Sequence, residues 1–378
     1  MLGVLITAFV IYLSIDGFSI FRDTWTVVME QHHPVKDENI DAKLPAQSLH
    51  DDMECLRTTI EHVGVNPYLN ISKKEFYRKF DSVEAGIDRP ITTKEFYKRI
   101  VPLVHSLKDS HTSFMWSEFQ DHYSKTGGKF FPVTVDLGLD GRIYVDRDCG
   151  SNGLMKGTEI KSINGIPSAK IFQTILSFEK GATFYPRVKS AQDNFRWLLW
   201  EAYDFEGPFE FKLSGRTITV QGITQAELDK SNVQAPAENN QDVAYTRMAA
   251  RTGLLSVKTF LTDPMVFSGQ IQKAFADIHK DSLTNLIIDI RDNGGGSEIN
   301  GAILIDYIWD KPYRMSSQFM RKKSREWVAF YWTTYKLWIR PILSFGFISS
   351  MNDEAKVMFS TYGKTPIGEV DTVEMPET

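Results

Sequence analysis

The chain has 378 residues, too many for one ordinary core, so two or three domains are expected. Apolar residues make up 42% and charged residues 24%, which is ordinary globular usage and excludes a disordered chain. The 43 basic and 48 acidic side chains leave a net charge of −5, which argues against nucleic-acid binding through bulk charge.

Met1 to Ile15 run without a charge; the first is Asp16 and the first basic residue is Arg22. Such a run is short for a membrane span, which needs ~20 residues. It suits the apolar region of a signal peptide, although a basic lead and an A-x-A site are missing. A signal peptide or membrane anchor is expected over 1–21, ahead of a buried N-terminal element. That expectation makes the protein exported or membrane-anchored and extracytoplasmic, periplasmic or cell-surface, with any membrane contact through this segment. Residues 22–48 are polar and mixed and read as a linker.

From 49 to 125 the pattern is helical. Leu56, Ile60 and Val63 recur at helical spacing, as do Phe76, Phe80 and Val83. Ser72 with Glu75, and Thr92 with Glu95, carry the capping-box signature of a helix start. Residues 126–223 read as a β-rich module. Asp140-Gly141, Asn164-Gly165 and Ser214-Gly215 mark its tight turns, and a helix is expected to begin at Ser168. Residues 224–242 are polar and read as a linker loop.

Residues 243–378 read as an α/β core. Gly253–Val257 is a strand candidate, and Phe267, Ile271, Phe275 and Ile278 share a helix face. Asn285–Ile290 is a nearly continuous apolar run, expected as a strand buried on both faces of a parallel sheet. A glycine turn and a helix over 298–308 follow. The basic, aromatic stretch Arg314–Arg340 reads as a helical segment with one wet face, ahead of a nucleic-acid reading; lid, interface and membrane-facing roles stay open. Two cysteines, Cys55 and Cys149, are too few for a disulfide scaffold; one bridge and two free thiols are both open. The fold class is therefore mixed α+β and α/β, in several domains.

Two segments can carry chemistry. In the first, the apolar run ends in Arg291, Asp292 and Asn293, followed by Gly294, Gly295 and Gly296. Such glycines adopt positive φ and admit close approach. The N–H groups of the next helix point at the turn, a site for an anion or a developing oxyanion. Neither a P-loop nor G-x-G-x-x-G spacing is present. Ser297 fails the G-x-S-x-G elbow and is expected to cap the helix. In the second segment, His111 lies between Asp109 and Thr112, which stand close enough to orient an imidazole as a general base. The remaining histidines show no ligand spacing, so neither a metal nor another cofactor is expected.

LKDSHT over 107–112 resembles the L-x-D-x-H-T element of tail-specific, or C-terminal processing, serine peptidases, in particular their tricorn-like branch. LIIDIRDNGGG over 286–296 resembles that family's strand-and-glycine element, GLMKGTEIKSINGIP over 153–167 its PDZ-like stretch, and HVGVNPYLNISKKEF over 62–76 its helical lead-in. The resemblance implies hydrolysis of peptide bonds in protein substrates, often near C-termini, through an acyl-enzyme. It gives His111 the role of base and Gly295 or Gly296 that of oxyanion donor, with Arg291, Asp292, Asn293 and Gly294 shaping the turn. The bacterial processing branch uses a downstream lysine as base instead.

The sequence departs from the pattern. No S-S/A-A segment for the nucleophile stands between Ser297 and Thr378; Ser316-Ser317 and Ser349-Ser350 lack the following alanine. The core is therefore expected to be incomplete. Thr158 replaces the usual aspartate of the PDZ-like stretch. A non-catalytic protein on the same scaffold, binding a peptide or small ligand, is the second expectation.

Overall fold

The structure is a computed structural model that describes residues 42–114, 117–233, 241–333 and 366–374. The expected signal or anchor over 1–21 lies outside the described residues. No helix among the described residues is long and apolar enough to cross a membrane. The architecture is mixed α+β, in two compact units. One comprises Met1–Gln234 with Met320–Asp371, the other Ala235–Phe319 with Thr372–Thr378.

The first unit opens with β1 (Lys43–Leu44), α1 (Ala46–Val63), α2 (Lys73–Ala85), β2 (Ile91–Thr92), α3 (Thr93–His105) and α4 (Ser117–Lys125). The expected linker thus gives way to structure at Lys43, before its predicted end. Ser72 accepts from the Glu75 N–H at 3.2 Å. Thr92 and Glu95 complete a reciprocal capping box at 3.0 and 3.1 Å. Leu49, Met53, Phe76, Phe80, Ile91 and Ile100 form the core beneath these helices.

A second core lies between one face of an antiparallel sheet and three helices. The chain runs β3 (Lys129–Phe130), β4 (Val133–Leu137), β5 (Ile143–Asp148), β6 (Glu159–Ile163) and β7 (Ile166–Pro167). It continues through α5 (Ser168–Ser177), α6 (Phe184–Asp193), α7 (Phe195–Tyr203), β8 (Phe209–Leu213), β9 (Thr217–Val220) and β10 (Ile223–Thr224). The sheet order is β4-β5-β6-β8-β9, with β7 on β6. Asn164 and Gly165 take φ of 48° and 77°, the geometry that turns β6 into β7. Three helices inside this stretch make it less purely β than its turn signals imply.

Part of the expected linker over 224–242 is instead helix α8 (Gln225–Val233). Its start carries the same signature as the earlier helices: the Thr224 N–H donates to Glu227 Oε2 at 2.7 Å, and the Glu227 N–H to Thr224 Oγ1 at 3.3 Å.

The second unit holds β11 (Val243–Ala249), β12 (Thr252–Val257), α9 (Pro264–Lys280), β13 (Asn285–Asp289) and α10 (Glu298–Asp306). The sheet order is β11-β12-β13; β12 and β13 are parallel. Val257, Phe267, Ile271, Phe275 and Leu304 fill its core. The expectation that β13 is buried on both faces is corrected. Among the described residues it pairs only with β12, and one of its faces is open: Leu286 and Ile288 pack against the core, while Ile287 is 50% exposed.

Arg314–Arg340 is not one helix. Its described part forms β14 (Gln318–Lys322) and α11 (Arg325–Thr333), and β14 pairs with β15 (Val370–Glu374). Lys323 is 2% exposed, so this stretch buries part of its basic character. The Lys322 ammonium donates to the Glu61 and Gly64 carbonyls at 2.7 and 3.4 Å, at the C-terminal end of α1, where a cation is favoured. Both cysteines are free thiols.

Candidate functional site: the glycine turn and the His111 loop

The glycine turn is braced from three sides. Asp289, at the end of β13, accepts hydrogen bonds from Nε and Nη2 of Arg291 at 2.9 and 2.7 Å, and from its backbone N–H at 3.1 Å. The guanidinium holds the Asp289 carboxyl down at about 2. The Asn293 amide donates to the Val257 carbonyl at 3.2 Å, while its Oδ1 accepts the Gly295 N–H at 2.8 Å. One side chain thus ties the turn to the end of β12.

The third brace is Phe260. Its N–H donates to the Gly295 carbonyl at 3.0 Å, and its carbonyl accepts the Ser297 N–H at 2.8 Å. Asn300, fully buried, reinforces this strap by donating to the Phe260 and Thr262 carbonyls at 3.0 and 2.7 Å. Gly295 and Gly296 take φ of 102° and 141°, conformations that disfavour any Cβ.

These bonds sort the turn's donors. The Gly295 N–H is committed to Asn293. The Gly296 N–H has no acceptor among the described residues, and Gly296 is exposed just ahead of α10. Ser297 occupies the N-cap position of α10, but its side chain accepts no hydrogen bond there. That corrects the expectation that Ser297 caps with its hydroxyl. Gly294 and Asp292 are exposed. Phe260, Asn300 and Asp289 are the positioning residues that sequence reasoning missed. Only Asp289 left a local signal, standing two residues before Arg291.

The His111 loop belongs to the first unit, the glycine turn to the second. The loop leaves α3 through buried Leu107 and left-handed Lys108, φ 58°. Asp109 does not orient the imidazole. One of its oxygens accepts the His111 backbone N–H at 3.1 Å, and the other accepts the Thr112 hydroxyl. Burial pushes the Asp109 carboxyl up. The two hydrogen bonds, with the neighbouring His111 and Lys180, outweigh that and hold it below the ordinary range. The exposed His111 ring has Ser110 Oγ at 3.3 Å from Nδ1.

A buried polar cluster sits elsewhere in the first unit. Glu201 accepts from the Gln120 amide at 2.7 Å and also bonds Tyr97. Burial, helped by the nearby Glu179 carboxylate, pushes Glu201 up to about 7 against Gln120, Lys94 and Tyr97. Burial also pushes Glu179 up and His105 down. The His105 Nδ1 is 2.7 Å from the Phe178 carbonyl, and its Nε2 is buried without a partner among the described residues. No group of three or more His, Cys, Asp or Glu among the described residues is arranged to hold a metal ion.

Comparison with known proteins adds two findings. The model of peptidase family S41 matches residues 251–354, a segment that includes β12, β13 and the glycine turn. The solved structure of mature CPAF is similar over 73% of this chain and 61% of its own, at 16% identity and a TM-score of 0.47. The chain thus spans about three fifths of the length of that structure. No curated protein matches.

Proposed function

From the match of residues 251–354 to peptidase family S41, the C-terminal processing family that the sequence resembles, we propose that this chain serves serine-type hydrolysis of peptide bonds in protein substrates, near C-termini, through an acyl-enzyme. The observation that carries the reading is the exposed Gly296 N–H at the start of α10, without an acceptor among the described residues, in a turn held by Phe260, Asn293 and Asn300. A donor fixed in advance where negative charge develops is what acyl transfer needs. Gly296 is the better oxyanion donor, because Gly295 already donates to Asn293.

In this reading His111 is the general base. Asp109 and Thr112 hold its backbone rather than its ring. Asp289 and Arg291 clamp the strand end, Asn293 shapes the turn, and Asp292 and Gly294 complete it. The β-rich stretch 126–223 serves as a PDZ-like module. The nucleophile is not assigned to any serine of this sequence. No cofactor is required. The uncharged run from Met1 to Ile15 is the ground for proposing export or anchoring.

The test is to incubate the purified full-length gene product with peptides bearing free or amidated C-termini and to map products by mass spectrometry. A fluorophosphonate probe is applied in parallel. The reading expects hydrolysis, faster with free C-termini, probe labelling, and a loss of about 10²-fold or more in His111→Ala. Intact peptides together with no labelling would overturn it. A second reading is a non-catalytic protein on the same scaffold that binds a peptide or small ligand, supported by the cavity lined by Ile60, Val104 and Leu107. It expects saturable binding of the same peptides without products.

A further inference from the structure

Helix α1, the loop that follows it and the His111 loop enclose a cavity of about 570 Å³ in the first unit. That lies within the ~300–1,000 Å³ usual for binding pockets. Its deepest walls are apolar: Ile60 is 7%, Val104 3% and Leu107 2% exposed. The rim mixes exposed Leu69 and Phe114 with polar Asn66 and Asp109.

The cavity is held open by bonds independent of any occupant. The Tyr68 hydroxyl donates to Glu61 at 2.6 Å, fixing the 64–70 loop to α1. The Asn70 amide donates to the Lys108 carbonyl at 3.2 Å, joining that loop to the His111 loop. Lys322 holds the Glu61 and Gly64 carbonyls from behind. A preformed site loses little on ordering, so apolar burial goes into affinity.

We infer that this cavity is a subsite for one large apolar side chain of a polypeptide, seated so that the adjoining backbone passes His111. The inference rests on the peptidase reading for its substrate class. Three observations select the occupant. Asp109 and Thr112 line the cavity and flank His111 in sequence, so an occupant lies against the loop that carries the proposed base. The deep walls offer no charge to a charged side chain. The Asp109 carboxylate at the rim, kept ionised by its hydrogen bonds, repels a free fatty acid entering head-outward.

The experiment measures binding to the full-length protein of Gly-Ser-Xaa-Ser-Gly labelled at its N-terminus with fluorescein and left with a free C-terminal carboxylate, with Xaa as Phe, Leu, Ala or Asp. Burial of one large apolar side chain corresponds to a preference of about tenfold to a hundredfold for Phe and Leu over Ala and Asp. Thr59→Phe, which fills the cavity from α1, and Leu69→Asp, which charges its rim, are both expected to abolish that preference. Leu69 is 74% exposed, so its variant tests the site even if the filled variant does not fold. Equal binding of all four peptides, or a preference surviving in a folded variant, overturns the inference. So does decanoate competing at equal concentration with the Phe peptide. Product analysis of the same mixtures separates the two claims. Preference without cleavage leaves the subsite standing and the catalytic reading fallen; cleavage indifferent to Xaa does the reverse.

Discussion

The backbone of Phe260 runs so close to Gly296 that any Cβ at position 296 would fall within 3.0 Å of the Phe260 carbonyl. Backbone cannot yield as a flexible side chain does, so the strap and the glycine require each other. Gly295 shares the positive φ but has open space around it, and Gly294 has open space without the positive φ. The three alanine variants should therefore rank. Gly294→Ala stays within about 0.5 kcal/mol of wild type, Gly295→Ala loses about 1–2 kcal/mol, and Gly296→Ala loses about 3 kcal/mol or more. Denaturant melts decide it; a Gly296→Ala protein as stable as wild type would show that the strap is not tight.

Asn293 supplies both a donor and an acceptor, and the two can be separated. Asn293→Leu removes both and leaves the Val257 carbonyl and Gly295 N–H without partners, at a cost of about 2–4 kcal/mol. Asn293→Asp keeps the acceptor and loses only the donor, so its cost should be smaller. Reversal of that order in equilibrium unfolding would mean that the bond to Val257 dominates.

Glu201 makes stability depend on pH. Its carboxyl is raised to about 7 in the folded protein, above its ordinary value. Between those two values the unfolded chain releases a proton that the folded protein keeps. Stability therefore falls as pH rises from about 4.5 to about 7, by up to ~3 kcal/mol from this group alone. Depressed His105 works in the opposite direction, losing stability as pH falls below its ordinary value. The Glu201→Gln variant isolates the first effect. Its stability relative to wild type should grow from pH 5 to pH 8 and then level off. A difference that is flat across this range would refute the assignment.

Lys322 holds the C-terminal carbonyls of α1 beside the cavity. Lys322→Met keeps the apolar stem and removes the charge. It should cost about 1.5–3 kcal/mol and speed amide exchange across 64–70. Unchanged exchange in that loop would show that Tyr68 and Asn70 suffice to hold it.

Local chemistry was legible in the sequence. Thr92 with Glu95 and Ser72 with Glu75 start helices because cap and partner stand three residues apart. Asn164-Gly165, Asp140-Gly141 and Ser214-Gly215 turn the chain because their conformational preferences are intrinsic. The Thr224–Glu227 signature was equally local, but the polar composition around it concealed α8. The glycines of the turn were legible as glycines; which of their N–H groups remains free was not, since that depends on Asn293 and on Phe260, far back along the chain.

What only the tertiary structure decided has one physical cause: pairing across long sequence separations. The apolar run Leu286–Ile288 reads as doubly buried, yet face burial depends on what packs above and below the sheet: Leu286 and Ile288 pack against the core, while Ile287 on the opposite face is half exposed. Lys323 reads as part of a wet basic face and is buried. The cavity beside the His111 loop gathers residues from Leu56 to Phe114, among them Leu56, Ile60 and Val63, which the sequence assigns to a helix face. Propensity and capping act over a few residues and determined the elements of this protein. The open face of β13, the Gly296 donor left without an acceptor among the described residues and the cavity beside the His111 loop are set by contacts that no short window contains.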